Sequence, residues 1–260
     1  MKALRGSLVI ASATVLEAFR NRLFAVAILF GLVLIGMSVA AASVSISERA
    51  RLIVDVGLAA SSGLGTVIAV ALSITSFAGE LKTHTAYPIL ARPLPRWAFI
   101  LGKYLGVVIA MIGVVTIMVL TTALTVKLYG GELPSALWGC LWLNWIEMAV
   151  VVAVSFTFSA LTVPTLAATY SAGVILAGNL ATDVQAYADR LEAKGKGAAS
   201  SLRAAYYVLP DLQDLSARIQ AANNLDLPWS LLMSGTAYGL AYAAAALALA
   251  MWVFSRRRTV

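Results

Sequence analysis

The 260 residues are 61% hydrophobic and only 12% charged, with a mean hydropathy of +0.88 and a formal net charge of +7. Soluble globular domains carry about 25% charged residues. Half that share leaves too little polar surface for a water-facing particle and points to a polytopic membrane protein. The single cysteine, Cys140, excludes an intrachain disulfide.

Residues 6–22 place Leu8, Ala11, Val15 and Phe19 at helical spacing, with Ser12, Glu17, Arg20 and Asn21 elsewhere. An amphipathic helix lying in the inner membrane interface is expected there. A cleaved signal peptide is disfavoured, because the Leu8–Ser12 apolar run is too short before Glu17 and the next apolar run is a full span.

Crossing the hydrocarbon core takes about 20 mainly apolar residues. Spans are expected at about 23–46, 56–78, 100–126, 136–159, 163–182 and 229–254. The fourth and fifth come from one long stretch, Leu133 to Thr182, interrupted only by Glu147. Pro164 divides it, since proline removes a backbone donor and disfavours helix at Val163. The expected fold class is an all-α polytopic membrane protein, a single domain over 1–260 with six transmembrane helices and an N-terminal interface helix.

Lys and Arg placement sets the orientation. With both termini cytoplasmic, eleven basic groups face Glu17 and Glu80 inside, and eight basic groups face nine acidic ones outside. Topology therefore accounts for the positive charge, and no nucleic-acid partner is expected. The largest inner segment is a 79–99 loop carrying Pro88, Pro93 and Pro95. The largest outer one, 183–228, has amphipathic stretches near Val184–Ala193 and Leu212–Ala222. With Tyr187, Tyr206, Tyr207 and the adjoining Trp229, it suits helices lying on the outer membrane surface.

Chemical motifs are sparse. Gly102-Lys103 and Gly195-Lys196 lack the upstream glycine and the following Ser or Thr of a phosphate-binding loop. One histidine, His84, and one cysteine cannot build a tetrahedral metal site, and no serine motif stands beside His84. No catalytic, cofactor or metal residue is expected on this chain. Glu147 is the one ionisable residue well inside a span, which makes it a candidate for a substrate pathway. The alternative is a local hydrogen bond near the outer interface, beside Trp142, Asn144 and Trp145.

The 79–103 segment carries Glu80, Thr85, Leu90, Pro93, Arg96, Gly102 and Lys103, a pattern that resembles the coupling loop of type-2 ABC exporter permeases. His84 and Pro95 depart from the family pattern. Glu17–Phe24 resembles that family's N-terminal interface helix, and Asp55–Leu58 the entry to its second span. Ser159 with Pro164 is similar to its fourth-to-fifth turn, and Leu209-Pro210 and Phe254–Arg257 to its last loop and tail. The nearest branch by resemblance is the permeases that serve maturation of multicopper enzymes such as nitrous oxide reductase.

The resemblance implies a permease of the bacterial cytoplasmic membrane. It pairs with a second copy or a paralogous permease, and with a dimer of cytoplasmic ATPase subunits that hold ATP and Mg. Glu80, Thr85, Arg92, Pro93 and Arg96 are then expected at the ATPase contact, with Glu17 and Arg20 holding the N-terminal helix against the loop and Lys103 anchoring the third span. Membrane lipids are the remaining partner. A scaffold that seats an ATPase in a cell-envelope or motility assembly without transporting is the alternative, with a membrane enzyme third.

Overall fold

A computed structural model describes residues 2–42, 49–79, 95–181, 209–213 and 215–256. Among them the chain is all-helical. Four helices are long and apolar enough to cross a membrane: Ala50–Phe77, Trp97–Leu128, Leu137–Leu161 and Trp229–Arg256.

Helix α1 (Lys2–Arg20) breaks at Asn21 and gives way to the apolar α2 (Arg22–Ala42). The expected 6–22 helix thus begins earlier and ends sooner. Helix α3 (Arg49–Ile74) runs into a π-helical turn, Thr75–Gly79. It starts seven residues before the expected 56, because helical hydrogen bonding continues into a polar turn carrying Arg51 and Asp55, where no apolar solvent limits it. Helix α4 (Arg96–Leu128) likewise starts ahead of the expected 100, with Pro95 extended at its N-cap. Trp97, Ala98 and Phe99 therefore belong to the helix and not to the loop.

Helix α5 (Leu137–Leu161) ends at extended Thr162 and Val163, and Pro164 opens helix α6 (Pro164–Asn179). Proline suits that first helical position, where its missing N–H has no intrahelical partner. Short helix α7 (Arg218–Ala222) and long helix α8 (Trp229–Arg256) complete the described chain.

Helix α5 is the axis of the bundle. From Ile146 through Thr157 it is buried without interruption, as a helix hydrophobic on all sides must be. Helix α8 lies along it through Gly235, Gly239, Ala243, Leu247, Ala250 and Phe254, spaced three or four apart. Its opposite face exposes Met233, Leu240, Leu249 and Trp252. That arrangement, small residues inward and large apolar ones outward, is what packing in lipid requires.

At one end of the bundle Phe77 packs on Phe99, Phe156 and Phe254, at ring-centroid distances of 6.1, 5.3 and 5.5 Å. All four rings are buried. Four helix ends are thereby tied together, including the two that flank residues 80–94. At the other end lie Arg51, Glu132 and Asn223, around one surface depression.

The segment expected to lie outside, 183–228, differs most from expectation in its described part. Leu212, Leu215, Ala217 and Ala221 are buried against the bundle instead of lying on its surface, and only Arg218–Ala222 of the expected 212–222 stretch is helical. Leu212 donates its N–H to the Gly178 carbonyl (3.4 Å), Asp211 donates its N–H to the Tyr238 hydroxyl (2.8 Å), and Cys140 Sγ donates to the Ala217 carbonyl (3.1 Å). Those carbonyl and amide groups find partners only by entering the bundle, which overrides the amphipathic pattern.

Helix α1 is seated on α4 by two glycines. A Cβ on Gly106 would lie 2.6 Å from Thr14 Cβ and 2.8 Å from the Ala11 carbonyl oxygen. Gly106→Leu is therefore expected to cost about 1–3 kcal/mol through overpacking and to expose α1 to protease. Gly173→Leu, with nothing within 4 Å of the new Cβ, is expected to leave both unchanged. Thermal unfolding and limited proteolysis of the purified chain check the pair, and equal behaviour of the two variants contradicts the seating.

Candidate functional site

Two polar constellations interrupt the apolar bundle. The first joins α1 to α4. Gly102 and Gly106 let the two helices approach: a Cβ on Gly102 would lie 2.6 Å from the Ser7 carbonyl oxygen. Between the glycines stands Lys103, whose side chain is 5% exposed and whose Nζ lies 3.3 Å from Glu17 Oε2. The stripe that faces α4 is Ser7, Ile10, Ala11, Thr14 and Ala18, all buried. Leu8, Leu16 and Phe19, members or neighbours of the apolar stripe visible in the sequence, are exposed on the far side.

Of the residues expected at an ATPase contact, Glu80, Thr85, Arg92 and Pro93 lie outside the described residues. Arg96 is the first residue of α4. Arg20 ends α1 and is exposed; with Ala13, Leu16, Glu17 and Asn21 it borders an open depression. Glu17 and Lys103 meet directly, an ion pair across 86 positions of sequence.

The second constellation surrounds Glu147, about ten residues or 15 Å along α5. Its side chain is 2% exposed. Ser62 of α3 donates to both carboxylate oxygens, at 2.9 and 3.1 Å. The bond is thus made to a neighbouring helix. One turn away Asn144 donates from Nδ2 to Ser61 Oγ at 3.0 Å.

A cavity of about 20 Å³ is lined by Ser62, Asn144 and Glu147, with Ser216, Ala217 and Arg218 above them. Arg218 pairs with Asp55 at 3.0 Å, both side chains 43% exposed. Beside this cavity a groove of about 620 Å³ runs between α3 and α6. No cluster of three or more His, Cys, Asp or Glu side chains capable of holding a metal occurs among the described residues.

The sequence profile of the ABC-2 family transporter proteins matches residues 59–258, well over half of the chain. The chain belongs to that family. No curated protein matches it individually. Membership makes this a multi-pass membrane protein and the permease component of an ABC transporter, a transport component and not itself a catalyst. ABC-2 permeases generally work with a cytoplasmic ATPase subunit.

Sequence reasoning missed three parts of these constellations in the permease. The Gly102-Lys-Tyr-Leu-Gly106 run is a small-residue pair four apart, the standard signal for close helix approach in membranes. Ser61-Ser62 was a further signal, a hydroxyl pair inside an apolar span. The Asp55–Arg218 pair left no signal, because nothing in a sequence ties two exposed charges 163 positions apart.

Ser62→Ala removes the one hydroxyl that donates to a buried carboxylate among the described residues, and a lost hydrogen bond to a buried group costs about 1–3 kcal/mol. Asp55→Asn breaks a pair that is open to solvent and is expected to cost less than about 1 kcal/mol. Melting temperatures of the detergent-solubilised permease should fall clearly for Ser62→Ala and little for Asp55→Asn. The reverse order contradicts the assignment of Ser62 as the partner of Glu147.

Proposed function

We propose that this permease is a six-span exporter subunit of the bacterial cytoplasmic membrane, with both termini cytoplasmic. It works with a dimer of separate ATPase subunits, which hold ATP and Mg, and with a second permease copy or paralogue. The four long apolar helices support this count together with α2, 21 residues of apolar sequence, and α6, 16 residues behind Pro164. The side assignment rests on the Lys and Arg distribution, and α1 is the interface helix, its exposed Leu8, Leu16 and Phe19 turned to lipid. Resemblance to the multicopper-enzyme maturation permeases stands on the loop motif at Glu80, Thr85, Pro93 and Arg96.

The observation that carries the mechanism is the clamp at the membrane end of the 80–94 segment. Phe77 and Phe99 hold its two ends together, and Lys103 with Glu17 fixes α1 to the same helix that Phe99 belongs to. An ATPase docked on Glu80, Thr85, Arg92, Pro93 and Arg96, with Arg20 at the edge of the contact, pushes on α3, α4 and α1 as one unit. Closure of the ATPase dimer then favours one arrangement of the spans over another through different contacts in the two states. Glu147 lies in the pathway those spans form. A scaffold that only seats an ATPase has no use for a carboxylate buried at mid-span, so transport is the preferred reading.

Co-expression with the ATPase subunit and affinity purification through the permease tests the docking. Arg96→Glu is expected to lower the recovered ATPase by about tenfold, the effect of losing one good charge contact. Glu17→Lys is expected to lower ATP-driven transport, and the exchange Glu17→Lys with Lys103→Glu to restore part of it. Wild-type recovery and transport in all these variants removes the docking assignment.

A further inference from the structure

The small cavity at Glu147 is bordered by buried oxygen acceptors that are not fully met. Both carboxylate oxygens of Glu147 share the single hydroxyl proton of Ser62. The amide oxygen of Asn144, a residue 6% exposed, has no hydrogen-bond partner among the described residues. Two carboxylate oxygens sharing one proton and an amide oxygen with none leave acceptors unmet on two buried side chains, where unsatisfied polar groups are costly.

Charge points the same way. Arg218 lines the same cavity, but its guanidinium is matched by Asp55 at 3.0 Å. Among the described residues, the charge left at this place is that of Glu147, and a carboxylate within a span calls for a cationic partner.

Size narrows the partner. About 20 Å³ admits one water-sized group, which fits an ammonium head with its three N–H donors but not a trimethylammonium head. The adjoining groove of about 620 Å³ has apolar walls at Val67, Val70, Ile74, Ala168, Ile175 and Leu176. Ser62, Ser216 and Arg218 line both spaces, so the small cavity opens beside the polar end of the groove.

We propose that this permease binds a primary-amine amphiphile, its ammonium head among Glu147, Asn144 and Ser62 and its apolar body along the groove between α3 and α6. The proposal deepens the placement of Glu147 in the transport pathway and rests on it. Gly63 gives a means of blocking the groove, because it borders the groove and a Cβ there meets nothing within 4 Å.

The test is equilibrium binding to the full chain in phosphatidylcholine nanodiscs, whose zwitterionic surface does not itself select cations. The probes are a dansyl-tagged undecylamine and its trimethylammonium and carboxylate counterparts. The amine is expected to bind about tenfold tighter than either counterpart, the increment of one charge-assisted contact. Glu147→Gln is expected to remove that preference and Gly63→Trp to abolish binding of all three. Should Glu147→Gln fail to fold, Asn144→Leu is expected to reduce the preference.

Equal affinity for amine and carboxylate, or an unchanged preference in Glu147→Gln and Asn144→Leu, overturns the proposal. So does unchanged binding in Gly63→Trp; if that variant instead loses self-association, the groove is an interface between copies. Binding is read without nucleotide or ATPase. A chain that binds the amine but drives no ATP-dependent movement keeps this site and loses the transport reading, and a chain that transports without preferring the amine loses the site alone.

Discussion

A lysine side chain buried to 5% exposure needs a counter-charge, and in this permease two helices come close enough to bring Glu17 within 3.3 Å of Lys103. The approach depends on Gly102 and Gly106, which flank the lysine on α4 and leave room for the backbone of α1. A helix that precedes the first apolar segment is thereby made part of the bundle. The ion pair and the glycine contact support each other: the glycines let the carboxylate reach, and the carboxylate offsets a charge buried under a helix. Breaking a partly buried pair from one side is more costly than the pair's own net contribution. α1 and α4 therefore move together or the contact fails.

The same constraint operates at Glu147 with another outcome. Lipid offers no hydrogen bonds, so polar side chains on spans must find partners on their own helix or a neighbour. Most hydroxyls here take the first course: Thr116, Thr121, Thr122 and Ser155 donate back to carbonyls four residues earlier. A few tie helices together, as when Tyr104 donates to the Ala149 carbonyl, Thr157 to that of Ala246 and Trp142 to the Thr236 hydroxyl. Thr157 shares its one hydroxyl proton between the Ala153 and Ala246 carbonyls, as Ser62 does between the two Glu147 oxygens. What sets the Glu147 cluster apart is that the acceptor is a carboxylate, with the Asn144 amide oxygen, partnerless among the described residues, one turn away.

How much could be read in advance follows from which signals survive in a one-dimensional pattern. Apolar length survives, so the long helices lie close to where composition puts them. Proline chemistry also survives, and Pro164 separates α5 from α6, although as the first residue of α6 and not as the end of a turn. Helix ends survive poorly, because α3 and α4 continue into polar turns at Arg49 and Arg96 that hydropathy excludes. The 209–222 segment survives least. Its amphipathic pattern suits a surface helix, but Leu212, Leu215 and Ala217 are buried by backbone hydrogen bonds to Gly178, Tyr238 and Cys140 that no sequence spacing encodes. Glu147 stood out as a lone carboxylate; that its partner is Ser62 needed the packing of α3 on α5.

Helix α3 relates the two constellations. Its π-helical end carries Phe77, which packs on α4, α5 and α8, and about four turns back along the same helix Ser62 donates to Glu147. Toward its other end Asp55 holds Arg218 of helix α7. A displacement applied at Phe77 is resisted by three buried rings, so it shifts the helix as a body and does not dissipate in side-chain rearrangement, as expected of a close-packed interior. An axial shift of α3 relative to α5 changes the geometry of the 2.9 and 3.1 Å bonds between Ser62 and Glu147. Binding of a donor to Glu147 and the position of α3 are then linked equilibria. An effector that favours one arrangement of α3 and a donor that binds the carboxylate change each other's affinity by the same factor.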